Sequence, residues 1–270
     1  STDSRTITPG DLFLCLSGEN FDGTAFINQA VQKGAAGIVV SKPPASNIPV
    51  PVILVDDTLV ALGDLAAYRR SLIRHLKVLA ITGSSGKTTV KEMTAAILSQ
   101  KGRVLKTMGN FNNLVGLPHS LLPINFRHDF AVMEMGMNRP GEISRLTEIA
   151  DPDIALILNI HNAHTEGLGN IEGVAKAKLE LFEKSRSSTI LLINLDDKRL
   201  RKAAEQFSQR KILFGRDKKC HIRASNIRSL GPKGVSFTLH IGRKKSRVRM
   251  GVIGQHNVSN ALAAATMAHA

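Results

Sequence analysis

The chain has no Trp, a single Tyr and two Cys among its 270 residues. Each scarcity excludes something. Cys15 and Cys220 lie far apart and match no metal or redox spacing, so no disulfide framework is expected; free thiols in a reducing, cytoplasmic compartment are. Its apolar runs, among them Ile154-Ala155-Leu156-Ile157-Leu158, fall far short of the roughly 20 residues that cross a bilayer, so no membrane span is expected. Aromatic residues are rare and do not interleave with the basic stretches, so base stacking is poorly supplied and nucleic acid is not an expected partner. Acidic residues are outnumbered, with 22 Asp and Glu against 36 Lys and Arg, and the net charge is +14. Such a field favours anionic ligands. The excess gathers over residues 199–219 and 243–249, which read as solvated basic faces suited to phosphorylated substrates. No secretory signal is visible, and the opening on Ser1 in place of Met leads us to expect a missing upstream piece.

What is present is a phosphate-cradling pattern. Val78-Leu79-Ala80-Ile81 reads as a short strand, and residues 87–101 carry Val90, Met93, Thr94, Ile97 and Leu98 at helical spacing. Between them lies Thr82-Gly83-Ser84-Ser85-Gly86-Lys87-Thr88-Thr89. Glycines let backbone N–H groups approach an anion, and the helix N-terminus adds partial positive charge. Lys87 would meet the outer phosphates of a nucleoside triphosphate, and the Thr88 hydroxyl would ligate Mg²⁺. The strict pattern places another Gly five residues before Gly86, where Ile81 stands, so this is a shorter variant.

The length suggests one large or two modest domains. Residues 1–76 read as a small α/β block with strands near 11–16, 37–40 and 52–55 and helices near 25–33 and 58–73. A basic hinge is expected from Arg69 to Lys77. From residue 77 onward strands (78–82, 130–134, 154–159, 189–194, 211–214) alternate with helices (87–101, 141–149, 171–182, 197–207). That order implies a mostly parallel sheet flanked by helices, with ligands at the carboxyl ends of its strands. Residues 224–250 look like an antiparallel extension. The last helix, 257–270, has no capping signal and suggests a cut chain.

Three side chains beyond the loop draw attention. Glu134 ends the strand 130–134, a natural position for a Mg²⁺-ligating carboxylate beside a triphosphate, although a solvated strand-end Glu is the plainer alternative. His164 follows the strand 154–159 in a loop well placed for metal. Lys178, on the helix 171–182, reads by itself as a surface lysine.

Taken together, these segments resemble the Mur ligases of peptidoglycan synthesis. Ser4-Arg5-Thr6-Ile7, Pro9-Gly10-Asp11-Leu12-Phe13 and Asp22-Gly23 are similar to the family's UDP-binding domain. Residues 82–89 are similar to its ATP loop. Gly109-Asn110-Phe111-Asn112-Asn113, Glu134-Met135-Gly136-Met137-Asn138, Ala163-His164 and Ala175-Lys176-Ala177-Lys178 follow in order, and Gly254-Gln255-His256-Asn257-Val258-Ser259-Asn260 resembles the adenine-side motif. The resemblance implies an N-terminal UDP-binding domain over 1–76 and a central P-loop ATPase-like domain over 77–270. It implies a monomeric, ATP-dependent amide ligase. Its substrates would be UDP-N-acetylmuramoyl-tripeptide and D-alanyl-D-alanine, joined through an acyl phosphate. By the same resemblance Gly83, Ser84, Ser85, Gly86, Lys87, Thr88 and Thr89 bind ATP, and Asn257 and Asn260 meet the adenine. Thr88 and Glu134 hold one Mg²⁺, and His164 with a carbamylated Lys178 holds a second. Lys87, Lys178 and His164 act in catalysis, while Ser4, Arg5, Asn112 and Asn113 lie near the muramoyl substrate.

Two departures stand out. His161 occupies a place where a small residue is expected, and the family's third domain is absent, so weak or no ligation by these residues alone is expected. The rival readings are another Mur-type or folylpolyglutamate ligase, or a non-catalytic basic binding module.

Overall fold

In the computed structural model, residues 1–18, 21–161 and 165–270 are described, and the chain divides within one helix into units Ser1–Leu65 and Ala66–Ala270. In the first unit β1 (Leu12–Leu14), β2 (Ser17–Gly18), β3 (Phe21–Asp22), α1 (Ile27–Gln32), β4 (Gly37–Val40) and β5 (Val52–Leu54) precede α2 (Thr58–Ser71), which runs on into the second unit. β1, β4 and β5 form a parallel sheet, with Phe13 opposite Ile38 and Ile38 opposite Val52. Phe13, Ile27, Ala30, Ile38 and Val40 are the core beneath it. The first strand is shorter than expected because the chain turns at Cys15, whose carbonyl accepts a 3.0 Å bond from the Thr58 hydroxyl at the start of α2.

The stretch expected as a basic hinge packs into the second unit. Arg70 is buried against the Asp151 carbonyl and Asp153, Arg69 donates to the Ile124 carbonyl, and Ile73 and Leu76 are core residues.

The second unit runs β6 (Lys77–Thr82), α3 (Lys87–Leu98), β7 (Val104–Lys106), α4 (Gly116–Leu121), β8 (Phe130–Glu134), α5 (Glu142–Ala150), β9 (Ile154–Ile157), α6 (Thr165–Leu168), α7 (Ile171–Lys184), β10 (Ile190–Asn194), α8 (Lys198–Ala203), β11 (Lys211–Gly215), β12 (Ile222–Ser229), β13 (Val235–Ile241), β14 (Lys244–Met250) and α9 (His256–His269). The sheet order is β14-β13-β12-β11-β10-β9-β6-β8-β7. Neighbours are parallel from β7 to β12, and the last two pairings are antiparallel. β6 shows why both faces need helices: Val78 and Ala80 join the core under α4, α5 and α7, while Leu79 and Ile81 join the core under α3 and α9. A strand apolar on both faces is the signature of a doubly covered parallel sheet.

Five expected parallel strands are present. β9 stops two residues early because the chain there turns to the phosphate loop, where Ser84 N–H donates to the Asn159 carbonyl. The helix expected over 197–207 ends at Ala203 and tightens into a 3₁₀ turn, Ala204–Gln206. β7 and α4 were not expected; both are too short to show a period. After β6 the chain moves to one side for β7 and β8, then crosses to the other side for β9. The carboxyl ends of β6, β8 and β9 therefore border the crevice of a topological switch point.

Candidate active site

The loop after β6 sits in that crevice, and three features hold it. Gly86 adopts φ +80° at the N-cap of α3, a left-handed conformation that favours glycine. A Cβ added there would lie 2.6 Å from Asn260 Oδ1 and 2.9 Å from Leu158 Cδ2. Asn159 Oδ1 accepts bonds of 3.0 Å from both the Ser84 and Ser85 N–H groups, and its own amide donates to the Ser85 carbonyl. The Ser84 hydroxyl donates to the His161 carbonyl. The first N–H groups of α3 have no partner inside the helix, and its dipole adds positive charge there.

Lys87 reaches back so that Nζ donates to the Gly83 carbonyl at 2.9 Å. Burial lowers its ammonium below the ordinary value, with the charge of Glu134 acting in the opposite sense. Glu134, 2% exposed, is the hub of the site. Its Oε2 accepts from the Thr88 hydroxyl at 3.0 Å, its Oε1 from the Asn112 amide at 2.8 Å, and its backbone N–H donates to Thr107 Oγ1. Lys91, fully buried, stands 3.6 Å from Oε2 and donates to the Gly109 carbonyl at 2.9 Å. The strand-end carboxylate is therefore enclosed and fully partnered.

The donor set fits Mg²⁺. A hydroxyl and a carboxylate oxygen 3.0 Å apart match two neighbouring vertices of an octahedron with metal–oxygen bonds of about 2.1 Å. Two protein oxygens leave the remaining vertices for phosphate and water, the usual division for this ion. Among the described residues there is no cluster of three or more His, Cys, Asp or Glu that would make an all-protein cage.

Lys178 corrects the expectation of a surface lysine: it is 1% exposed, with Nζ 3.6 Å from Met137 Sδ. It belongs to the buried stripe of α7, one turn after Val174 and three residues before Leu181. Burial first, and the charge of Lys87 second, lower its ammonium to about 7. The folded protein thus binds fewer protons than the unfolded chain between about pH 7 and 10.5. The stability cost is complete below that window and fades as pH rises through it. Lys178→Met is expected to stabilise the fold at neutral pH by on the order of 2 kcal/mol after relaxation is allowed for. Urea midpoints measured against pH should show the gain vanishing above pH 10.5; a gain independent of pH would contradict this reading.

The other expected site residues divide clearly. Asn260 lies against Gly86 and donates to Asn257 Oδ1 at 3.3 Å, so the start of α9 meets the phosphate loop. Asn112 touches Glu134, whereas Asn113 holds the turn before α4, its Oδ1 accepting from the Gly116 N–H at 2.8 Å. Ser4 and Arg5 line a cavity of 490 Å³ in the first unit, where Ser4 donates to Gln29 and Arg5 pairs with Asp3. His164 lies outside the described residues. Sequence reading missed Lys91, Thr107 and Asn159. Lys91 left one signal, a place in the buried stripe of α3 with Thr94, Ala95 and Leu98; the other two act through contacts between distant segments.

Residues 81–268 match the Mur ligase middle domain, and residues 1–70 match the Mur ligase family, catalytic domain. The chain is 41% identical over 269 residues to the UDP-N-acetylmuramoyl-tripeptide–D-alanyl-D-alanine ligase of Escherichia coli, covering 99% of this chain and 59% of that protein. A crystal structure of MurF from Acinetobacter baumannii superposes with a TM-score of 0.93 at 40% identity, over 100% of this chain and 59% of that one. MurF of Thermotoga maritima, solved with ADP, gives 0.90 at 28% identity, over 100% and 62%. The chain thus spans about three-fifths of these relatives. Since the middle-domain match alone takes in well over half of its residues, the chain belongs to the Mur ligase family.

Proposed function

We propose that this chain forms the ATP- and muramoyl-peptide-binding part of the ligase that joins D-alanyl-D-alanine to UDP-N-acetylmuramoyl-tripeptide. The observation that carries the reading is the convergence of the Thr88 hydroxyl and the Glu134 carboxylate beneath the β6–α3 loop, at the switch point of the sheet. The names of relatives about 40% identical supply the substrates.

In this reading a terminal carboxylate oxygen of the tripeptide attacks the γ-phosphorus. The bond to the bridging oxygen breaks, ADP leaves with that electron pair, and an acyl phosphate forms. The amine of D-alanyl-D-alanine then attacks the acyl carbon, phosphate departs and the amine loses a proton. Such chemistry needs positioning and charge neutralisation above all. Gly83, Ser84, Ser85, Gly86 and Thr89 shape the phosphate cradle, and Lys87 supplies the fixed cation. Thr88 and Glu134 would hold Mg²⁺, which when bound draws charge off the phosphates. Asn112 and Lys91 hold the carboxylate at one angle. Asn257 and Asn260 meet the adenine side, and Asn113 borders the muramoyl peptide.

A second Mg²⁺ is assigned to His164 and Lys178. The depressed basicity of Lys178 keeps a neutral amine available near pH 7, and addition of carbon dioxide to that nitrogen, with loss of one proton, would give the carboxylate-like end a metal requires. Residues 1–76 bind the UDP moiety through Ser4 and Arg5, and residues 77–270 bind ATP. The same reading makes the protein a cytoplasmic monomer.

Calorimetric titration with UDP-N-acetylmuramoyl-tripeptide, in Mg²⁺ and a non-hydrolysable ATP analogue, tests the proposal. Binding that free UDP competes away supports it. Nucleotide binding without muramoyl-peptide binding would transfer the chain to another ATP-dependent ligase.

A further inference from the structure

From residue 218 to residue 270 the chain has ten Lys and Arg and no Asp or Glu. Strand pairing gathers half of these cations on one surface. Lys245, Arg247 and Arg249 of β14 lie opposite His240, Thr238 and Ser236 of β13. Those three lie opposite Arg223, Ser225 and Arg228 of β12. Directly paired residues share a face, so the face presents five cations over a floor of hydroxyls, with His240 Nε2 held 2.7 Å from Ser225 Oγ. The opposite face carries Val235, Phe237, Leu239 and Val248 into the core beside α9.

Among the described residues none of these five cations has an ion-pair partner, whereas Arg70, Arg186 and Lys106 do. Two cavities, of 300 and 500 Å³, open on the face. Ser236 and Arg247 line both; Arg228 lines the first, and Lys233 and Arg249 line the second.

Edge strands often carry charge simply to resist pairing with other chains. That need would be met by β14 alone, yet the cations continue onto β12, two strands inward. Three occupants compete for such a face. Single-stranded nucleic acid would call for stacking aromatics, and the one aromatic here, Phe237, turns to the core. A protein interface would call for a cluster of apolar or aromatic anchors, and the two cavities offer only Leu230 beside the core residue Phe237. A flat array of phosphates needs only cations, each worth attraction near an anionic leaflet. We propose that the β12–β14 face docks this protein on an anionic phospholipid surface. The inference stands apart from the ligase reading.

Co-sedimentation with vesicles tests it, comparing pure phosphatidylcholine with equal parts of phosphatidylcholine and phosphatidylglycerol at low and at physiological ionic strength. The chain is expected to bind only the anionic vesicles, more weakly as salt rises. Arg247→Gln with Arg249→Gln should lower partitioning about thirty-fold. Lys218→Gln with Lys219→Gln removes the same charge elsewhere and should lower it far less. These side chains are exposed, so thermal midpoints of both variants should match the parent. Absence of vesicle binding, equal losses in the two variants, or binding to single-stranded nucleic acid without binding to vesicles would each overturn the proposal.

Discussion

Gly86→Ala is expected to lower the unfolding free energy by about 2–5 kcal/mol and to remove nucleotide binding. Two penalties combine. An alanine at φ +80° costs about 1–2 kcal/mol in the left-handed region. Its Cβ would also press on Asn260 Oδ1 at 2.6 Å and Leu158 Cδ2 at 2.9 Å, an overpacking that typically costs about 1–3 kcal/mol. Relief requires α9 to shift, and α9 is what closes the phosphate loop on that side. Gly141→Ala provides the control: its φ is +87°, but nothing lies within 4 Å of the added Cβ. It should cost only the backbone share, about 1–2 kcal/mol, and leave nucleotide binding intact. Equal losses in the two variants, measured by urea denaturation, would show that the contact with Asn260 is unimportant.

Lys91→Met is expected to cost about 3–5 kcal/mol, because it leaves a buried carboxylate without its cation. Glu134 is 2% exposed and Lys91 fully buried, so water reaches neither. The substitution also takes the donor from the Gly109 carbonyl and so loosens the segment that carries Asn112. Neutralising the partner should rescue much of the loss: Lys91→Met with Glu134→Gln is expected to be more stable than Lys91→Met alone. Strict additivity of the two single losses would mean the pair does not interact. Faster amide exchange across residues 107–113 in Lys91→Met would report the loosening directly.

The two lysines also show how far the sequence could be read. The strand, loop and helix around Lys87 were legible because their chemistry is local: a β-branched strand, glycines and a helical period follow one another within a few residues. Glu134 was legible from its place at the end of a strand. Taken by itself Lys178 reads as a surface residue, because a lone lysine usually is one, although its spacing from Val174 and Leu181 places it on the buried stripe. Lys91 carries the same signal on α3 but stands among the polar residues that follow Lys87. Other features leave no local trace. Glu180 of α7 accepts from the Gly141 and Ser144 N–H groups and so caps α5 from another helix. Asn159 fastens the phosphate loop from the end of a neighbouring strand. β7 and α4 escaped because three- and six-residue elements are too short for a period to emerge. The parallel sheet and its switch point were legible as a consequence of strand–helix alternation, whereas the order of its strands emerged only from the pairing.

The central claim is that the β6–α3 loop, Lys87, Thr88 and Glu134 form a working Mg²⁺–nucleotide site. The measurement that tests it most directly is calorimetric titration of the chain with a non-hydrolysable ATP analogue, with and without Mg²⁺, for the parent, Lys87→Ala and Glu134→Gln. The account predicts Mg²⁺-dependent binding by the parent, affinity about ten- to hundred-fold weaker in Lys87→Ala, and loss of the Mg²⁺ enhancement in Glu134→Gln. Binding of equal strength in all three proteins, indifferent to Mg²⁺, would contradict it.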